Sequence, residues 1–222
     1  KDRDEFKLFY QPIMDAESGG VAAVEALLRW FDPGRGSVPP SQFIPVLEQT
    51  GQIVEVGTWV LETACQQCLH WLDDGAQDLT LSVNVSPRQF SEPDFVDTVA
   101  DVLQRTGFPA AQLQLEVTEG LLLDPTRETL KKIDSLVKLG PKLALDDFGM
   151  GYSSLSYLTK FPLHTLKIDR MFVRDVPDGD RDTAIVRPIV DLGHGLGMHV
   201  TAEGVETREH SEGLRAWGCD SL

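Results

Sequence analysis

Seven polar side chains interrupt the short apolar runs of this sequence where an apolar residue would be expected to pack. They are Glu25, Asn84, Glu116, Asp146, Asp147, Lys167 and Glu203. An isolated ionised carboxylate in an apolar interior costs many kcal/mol unless it is paired with a cation or bound to a metal. Any one of these residues could be a satisfied polar group in the core. The same feature in six successive runs predicts instead that the residues meet at one site.

The predicted cluster is a set of hard oxygen ligands. Its carboxylates and its amide oxygen repel one another unless cations are present, and the strands offer no ligand-like cysteine or histidine, which favours Mg²⁺ or Mn²⁺ over zinc. The adjacent Asp146 and Asp147 are suited to bridging two metal ions about 3.5–4 Å apart, as in phosphodiester hydrolysis. Lys167 could neutralise the cluster, could deprotonate or orient a water, or could be a buried countercation only.

The elements that must position these residues alternate along the chain. Short apolar runs rich in β-branched residues are each followed by a longer segment with helical spacing. The predicted strands are 7–14, 21–30, 79–86, 113–119, 142–148, 165–170 and 199–205, and the predicted helical segments are 41–72, 92–106, 125–139, 182–197 and 207–217. The short segment 15–20 predicts a hairpin, so the first two strands are expected to be antiparallel, and the βα repeat predicts that the others are parallel.

Both an open doubly wound sheet and a closed barrel fit this α/β alternation. Seven strands with about one helix each favour a TIM-like (β/α)8 barrel, in which the C-terminal strand ends converge on one mouth where active sites lie. An eighth strand is expected beyond Leu222, where the sequence ends. We therefore expect a single barrel domain over 1–222, truncated near its C-terminal end and excised from a larger multidomain protein.

Composition and cysteine usage limit the partners and the compartment. The 20 basic and 35 acidic residues leave a net charge of −15, which disfavours a nucleic acid polymer but not a phosphorylated ligand at local cations or metals. No apolar run is long enough for a membrane span, and the charged start lacks the apolar stretch of a signal peptide. Three cysteines do not form a disulfide framework, and Cys65 and Cys68 are expected to be small apolar residues on one helix face. We expect a cytoplasmic location, although the parent protein could be anchored to the inner membrane through other segments.

Eight ordered motifs resemble those of the EAL-domain family, which are bacterial phosphodiesterases specific for cyclic di-GMP. The motifs are YQPIMD, VEALLRW, FIPVLEQTG, LSVNVSPRQF, LQLEVTEGLL, LALDDFGMGYSSLSYL, LKIDRMFV and TAEGVET, from about Phe6 to Asp220. The name-giving Glu-Ala-Leu is Glu25-Ala26-Leu27. The resemblance implies a TIM-like barrel with one antiparallel strand. It also implies metal-dependent hydrolysis of cyclic di-GMP to linear 5′-pGpG.

The resemblance also implies a role for each matching residue. The implied metal ligands are Glu25, Asn84, Glu116, Asp146 and Asp147, and the implied catalytic residues are Glu25, Asp147, Lys167 and Glu203. Substrate contacts would come from Gln11, Leu27 and Arg29, and support for the loop after the aspartate pair from Glu119, Glu206, Gly149 and Gly151. The family further implies two Mg²⁺ or Mn²⁺ ions, inhibition by Ca²⁺, a homodimer and covalently linked GGDEF or sensor domains.

One residue departs from the family pattern. Met150 stands where the family has a small residue, threonine or alanine, between Gly149 and Gly151. It supports the alternative that the chain is a non-catalytic cyclic di-GMP receptor, whereas the intact ligand positions favour the enzyme. We expect Met150 to tune the loop without abolishing activity. An unrelated divalent-metal barrel hydrolase that acts on another phosphodiester is a third hypothesis.

Overall fold

One curved mixed sheet organises the chain. The computed structural model describes residues 5–76, 78–122, 126–149, 158–174 and 180–222. Within these ranges the strands are β1 Phe6–Met14, β2 Val21–Asp32, β3 Gly36–Val38, β4 Thr80–Val85, β5 Leu113–Thr118, β6 Lys142–Phe148, β7 Thr165–Ile168 and β8 His199–Ala202. They pair in the order β1-β2-β4-β5-β6-β7-β8, and the short β3 pairs with β2 only. The first pair is antiparallel and every later pair along this path is parallel.

Helices follow the strands and cover the outer face of the sheet. In the described part of the chain they are α1 Pro40–Thr50, α2 Ile53–Asp73, α3 Pro87–Ser91, α4 Phe95–Thr106, α5 Glu119–Leu122, α6 Arg127–Leu139, α7 Arg170–Val173, α8 Asp180–Gly195 and α9 Arg208–Ala216, with a 3₁₀ turn at Ala110–Gln112. Several helices start at residues whose side chains cap the first turn. Ser86 accepts a hydrogen bond from the backbone of Gln89, and Thr126 accepts one from the backbone of Thr129.

Alternation along each parallel strand separates an apolar outer face from a polar inner face. On β5, Leu113, Leu115 and Val117 point outward and are at most 2% exposed. They belong to a continuous core formed by strands and helices. The residues between them, Gln114 and Glu116, face the inside of the sheet, where packing would ordinarily favour branched apolar side chains.

The C-terminal residues 220–222 lie between β1 and β8. Met14 donates its backbone NH to the carbonyl of Leu222 at 2.8 Å, and Leu222 donates in return at 2.9 Å. On the other side, Ala202 donates its NH to the carbonyl of Ser221 at 3.0 Å. These bonds join the two outer strands of the sheet path into a ring, at the place predicted for an eighth strand. The predicted TIM-like barrel with an antiparallel first strand pair is confirmed.

Two predicted strands end earlier than the sequence pattern indicated, and one short strand was not predicted. The strand predicted over 165–170 ends at Ile168, because the side chain of Asp169 accepts a hydrogen bond from Met171 (2.8 Å) and starts α7. The strand predicted over 199–205 ends at Ala202, two residues before Gly204 adopts a positive φ of 72°. The unpredicted β3 extends the hairpin of β2.

The cysteines confirm the structural interpretation of their spacing. Cys65 and Cys68 lie on the buried face of α2, and Cys219 is buried near the C-terminal end. All three are free thiols. Burial raises the pKa of each thiol, so each is a neutral, weakly polar core residue.

Candidate metal and substrate site

A lysine surrounded by carboxylates lies at the mouth of the barrel. Lys167 Nζ lies 2.8 Å from Glu116 Oε2, 3.3 Å from Asp146 Oδ1, 3.4 Å from Glu25 Oε2 and 2.5 Å from Glu203 Oε1. We call these five residues the acid layer. They come from β2, β5, β6, β7 and the residue that follows β8, so the fold brings together positions that are up to 178 residues apart (203 − 25).

Strand register explains why the acid layer forms. Asn84 is paired with Glu116 across β4 and β5, and Lys167 and Thr201 are paired across β7 and β8. Paired residues of neighbouring strands point to the same face. Asn84 Nδ2 donates to Glu25 Oε1 at 2.7 Å, which fixes the glutamate beside the layer. The structure thus gathers all seven polar residues identified in the sequence at one end of the barrel, whereas their individual roles stay predictions.

Burial and mutual repulsion set the protonation of the acid layer. Burial raises the pKa of Glu116, which is 1% exposed, and Lys167 opposes this shift. Burial also raises the pKa of Glu203. For Lys167, burial by itself would lower the pKa, but the carboxylates of Glu116, Asp146, Glu25 and Glu203 hold it well above its ordinary value. The surrounding carboxylates therefore favour the protonated, cationic form of Lys167.

A bulge places two consecutive aspartates on the same side of β6. Between Leu145 and Phe148 three steps along β6 match two steps along β7, so β6 contains one extra residue. Asp147 has a left-handed backbone with φ of 54°, a conformation that aspartate tolerates better than most residues. In a regular strand the two side chains would point to opposite faces. With the bulge, both carboxylates reach the mouth.

The residues at the mouth fit a divalent cation. One carboxylate oxygen each from Asp146, Asp147 and Glu203 lies within 4.8 Å of the others. Glu116 Oε1 and Asp146 Oδ1 are buried without a hydrogen-bond partner, although Asp146 Oδ1 is 3.3 Å from the ammonium of Lys167. Buried acceptors of this kind normally have a partner. Hard carboxylate oxygens that lie close together and lack hydrogen-bond partners are the ligands expected for Mg²⁺, Mn²⁺ or Ca²⁺.

A cavity of about 640 Å³ opens beside the acid layer. Glu25, Asp147 and Glu203 form its acidic side, and Leu27 and Arg29 of β2 also line it, whereas their substrate contacts stay a prediction. Helices α1 and α2 supply apolar wall residues such as Ile44 and Val56. Gln11 is not among the residues that line this cavity. It is exposed on β1 and is paired with Glu25 of β2, so its side chain lies on the same face of the sheet as Glu25.

Sequence reasoning missed Asp169, an acidic residue beside the aspartate pair. Asp169 lines the cavity two positions after Lys167. Burial and the charge of Asp146 raise the pKa of Asp147, and a hydrogen bond to Asp169 raises it further. The spacing of two residues from Lys167 could have revealed Asp169, since alternate residues of a strand share a face. Arg170, the next residue, also lines the cavity.

The loop that follows the aspartate pair is held by close packing. Gly149 donates its NH to Glu119 Oε2 at 3.4 Å, a contact that is compatible with the loop-support role predicted for Glu119. Gly149 has φ of 99°, and a Cβ there would lie 2.7 Å from the ring of Phe172 on α7, so only glycine fits. Glu206 is exposed, and its predicted role in the loop stays a prediction. The predictions for Met150 and Gly151 lie outside the described residues.

Three histidines lie apart from the acid layer. His164 Nδ1 accepts a hydrogen bond from the backbone of Leu143 at 3.2 Å, and His199 Nε2 lies 2.8 Å from Ser221 Oγ. His194 pairs with Asp220 at 3.0 Å. Each of these contacts lies at the end of the barrel that begins β6 and β8, so the histidines support the scaffold.

An α/β barrel with converging carboxylates, a buried lysine and an adjoining cavity defines a class of divalent-metal barrel hydrolases. The sequence profile of the EAL domain matches residues 1–222. The chain therefore belongs to the EAL domain family, which confirms the resemblance.

Among the described residues, no helix combines the length and apolar character that a membrane crossing requires.

Individual relatives agree with this assignment. The chain is 43% identical over 221 residues to the bifunctional diguanylate cyclase/cyclic di-GMP phosphodiesterase MucR of Pseudomonas aeruginosa, covering 100% of this chain and 32% of MucR. It is 38% identical over 217 residues to the cyclic di-GMP phosphodiesterase NbdA of the same organism, covering 98% of this chain and 28% of NbdA. The chain thus spans about a third of the length of these curated relatives. The structure of the MucR phosphodiesterase in complex with c-di-GMP matches with a TM-score of 0.95 and 43% identity, covering 100% of this chain and 90% of that one.

Proposed function

We propose that this chain is a metal-dependent phosphodiesterase that hydrolyses cyclic di-GMP to linear 5′-pGpG and so lowers the level of a second messenger. The observation that carries the proposal is the acid layer beside the cavity, in which four carboxylates of the family pattern, those of Glu25, Glu116, Asp146 and Glu203, converge on Lys167. The similarity to MucR in its c-di-GMP complex supports the substrate.

Different side chains of the site bind the substrate and assist its hydrolysis. The cavity has an apolar wall for a base and an acidic side for the reacting phosphate. Arg29 donates one NH to its neighbouring carbonyl at 3.1 Å, which orients the guanidinium and leaves further donors for a substrate phosphate. Lys167 keeps a positive charge beside the carboxylates and can orient the attacking water. Hydrolysis adds water at one phosphorus atom and breaks its bond to the ribose 3′ oxygen, which leaves with a proton.

We propose that two Mg²⁺ or Mn²⁺ ions are held by Glu25, Asn84, Glu116, Asp146 and Asp147, with Glu203 beside the second ion. When bound, such ions supply stabilisation of the negative phosphate oxygens and lower the pKa of the attacking water. Ca²⁺ is expected to bind the same oxygens and to inhibit, because it takes more ligands at longer and less defined distances than Mg²⁺.

The test is incubation with cyclic di-GMP and Mn²⁺, with pGpG measured by chromatography. The matched control is Glu25→Gln, which keeps the shape of the side chain but removes the charge next to Asn84 and Lys167. We expect pGpG from the wild type and a loss of at least about 100-fold in the variant. Absence of pGpG together with tight cyclic di-GMP binding would overturn the enzyme and favour the non-catalytic receptor. Absence of binding would favour the unrelated hydrolase.

We further propose that the unit forms a homodimer, is covalently linked to GGDEF or sensor domains, and acts in the cytoplasm. The similarity to MucR, a bifunctional diguanylate cyclase/cyclic di-GMP phosphodiesterase, supports a linked cyclase domain. The three buried free thiols support a reducing compartment. Light scattering of the parent protein tests the dimer, and fractionation of cells tests the compartment. A monomeric parent or a parent outside the cytoplasm would contradict the respective proposal.

A further inference from the structure

A second group of polar side chains lies inside the barrel beneath the acid layer. Ser82, Gln114 and Thr165, which we call the polar tie, are 0%, 6% and 5% exposed. Gln114 Nε2 donates to Ser82 Oγ at 2.8 Å, and Thr165 Oγ1 donates to Gln114 Oε1 at 2.7 Å. Branched apolar residues dominate the interior layers of such barrels. A hydrogen-bonded trio in their place indicates a role beyond filling space.

The polar tie is in register with the site above it. Each member precedes a residue of the site by two positions on the same strand, and those residues are Asn84, Glu116 and Lys167. Two positions along a strand correspond to the same face and to a rise of about 7 Å. The polar tie therefore forms the layer directly below the residues that hold the cluster together.

One of the two hydrogen bonds crosses the barrel interior. Thr165 lies on β7 and Gln114 lies on β5, and these strands are separated by β6 in the sheet. Ladder hydrogen bonds fix only the relative height of neighbouring strands. The bond between Thr165 and Gln114 fixes the height of β7 against β5, and the bond to Ser82 extends this constraint to β4.

We propose that Gln114 is a positioning residue for the phosphodiesterase site, an inference that rests on the proposed function. Its amide holds β4, β5 and β7 at the heights at which Lys167 reaches Glu116 at 2.8 Å. A lysine side chain is long and has many rotamers, so its contact with several carboxylates depends on where its strand is held. A buried network whose members are all satisfied is rigid, which suits this task.

The first test is Gln114→Met, which keeps the length of the side chain and removes both hydrogen bonds. We expect kcat for cyclic di-GMP to fall by about 10–100-fold with KM nearly unchanged, as for other groups that orient metal ligands. The affinity for Mn²⁺, measured by electron paramagnetic resonance without substrate, should weaken in parallel. The matched control is Gln112→Met in the 3₁₀ turn before β5, which should leave both values unchanged. Unchanged kcat and Mn²⁺ affinity in a folded Gln114→Met would overturn the proposal.

A second variant separates positioning from stability. Gln114→Met alone leaves Ser82 and Thr165 buried without their partner and should lower the melting temperature. Ser82→Ala, Gln114→Met and Thr165→Val together replace all three members by apolar groups of similar shape. No buried polar group is then left unpaired, so the melting temperature should return toward that of the wild type. We expect kcat and Mn²⁺ affinity to stay low in this triple variant. Recovery of both along with the melting temperature would show that the polar tie only stabilises the fold.

Two measurements keep the outcomes distinct. If Gln114→Met or the triple variant does not fold, Thr165→Val, which removes one hydrogen bond and keeps the shape, is measured in the same way with the same criterion. If the wild type hydrolyses no cyclic di-GMP, the proposed function fails, but the Mn²⁺ affinities of the variants still decide the role of the polar tie.

Discussion

Replacing Lys167 with methionine tests the electrostatic account of the acid layer. Methionine fills much of the same volume but leaves four carboxylates without their shared cation. Removing one partner of a buried ion pair destabilises a protein by about 3–5 kcal/mol. The layer can limit this loss by taking up one proton, which restores its net charge. Relative to a glutamate of the unfolded chain with its ordinary pKa of 4.5, the uptake at pH 7 of one proton beyond those that the wild-type layer holds costs about 3.4 kcal/mol.

The expected loss of unfolding free energy in Lys167→Met increases as the pH rises. In the variant, carboxyl groups of the folded layer have pKa values above those of the unfolded chain, so the folded state binds more protons and becomes less stable as the pH rises. At pH 5.5 the same proton uptake costs only about 1.4 kcal/mol. We therefore expect the metal-free variant to lose about 3 kcal/mol of unfolding free energy at pH 7 and about half of that at pH 5.5.

The assay is urea denaturation of metal-free protein at both pH values. The control is Lys132→Met, since Lys132 is another buried lysine, but it donates to the backbone carbonyls of Phe90, Ser91 and Glu92 rather than to a cluster of carboxylates. The loss of unfolding free energy in Lys132→Met should differ little between the two pH values. The same loss for Lys167→Met at pH 7 and pH 5.5 would refute the reasoning. With Mn²⁺, Lys167→Met should also lose about 10²–10³-fold in kcat, as for the removal of one charged donor at a reacting centre.

Three further variants or conditions probe the cavity, the bulge and the metal. A Cβ on Gly57 would lie 2.3 Å from Gln89 Oε1 at the cavity wall, so Gly57→Ala should raise KM in kinetic assays and lower stability by about 1–3 kcal/mol in melting assays. In the control Gly195→Ala the added Cβ has no atom within 4 Å, so KM and stability should both stay unchanged. Asp147→Asn keeps a residue that tolerates φ of 54°, so its melting temperature should hold while calorimetry shows Mn²⁺ affinity reduced by at least about tenfold. Because burial raises the carboxyl pKa of Glu203, protons compete with metal, and Mn²⁺ should raise the melting temperature more at pH 8 than at pH 6. An equal shift at both pH values would contradict this linkage.

Much of the site was accessible from the sequence because a strand displays its residues with a period of two. Glu116 between Leu115 and Val117 is conspicuous by type alone, and so is Lys167 between Leu166 and Ile168. The repeat of βα units then implied parallel strands whose C-terminal ends meet. The ordered motifs identified the family, which the profile match over 1–222 confirmed. These inferences use only local pattern and chain order.

Polar residues that do not stand out by charge were not singled out from the sequence. Gln114 and Thr165 are ordinary residues for a half-buried strand, and their hydrogen bond across the barrel is visible only after the ring closes. For Gln114 and Thr165 the partner is distant in the sequence, so local propensity carries no signal of their contact. Asp169 is a different case, because its charge and its spacing of two residues from Lys167 could be seen in the sequence, although the strand ends at Ile168 and the side chain of Asp169 starts a helix.

The sequence by itself therefore determined the barrel, the family and the identity of the charged residues, because hydrophobic period and residue type are properties of the chain. Only the tertiary structure decided the geometry. Alternation would have sent Asp146 and Asp147 to opposite faces, and it is the bulge in β6, set by pairing with β7, that turns both toward the mouth. Likewise, the contacts of Lys167 with four carboxylates depend on the relative heights of strands from across the barrel. Those heights follow from ladder register and from closure of the ring by residues 220–222, which are collective properties of the whole sheet.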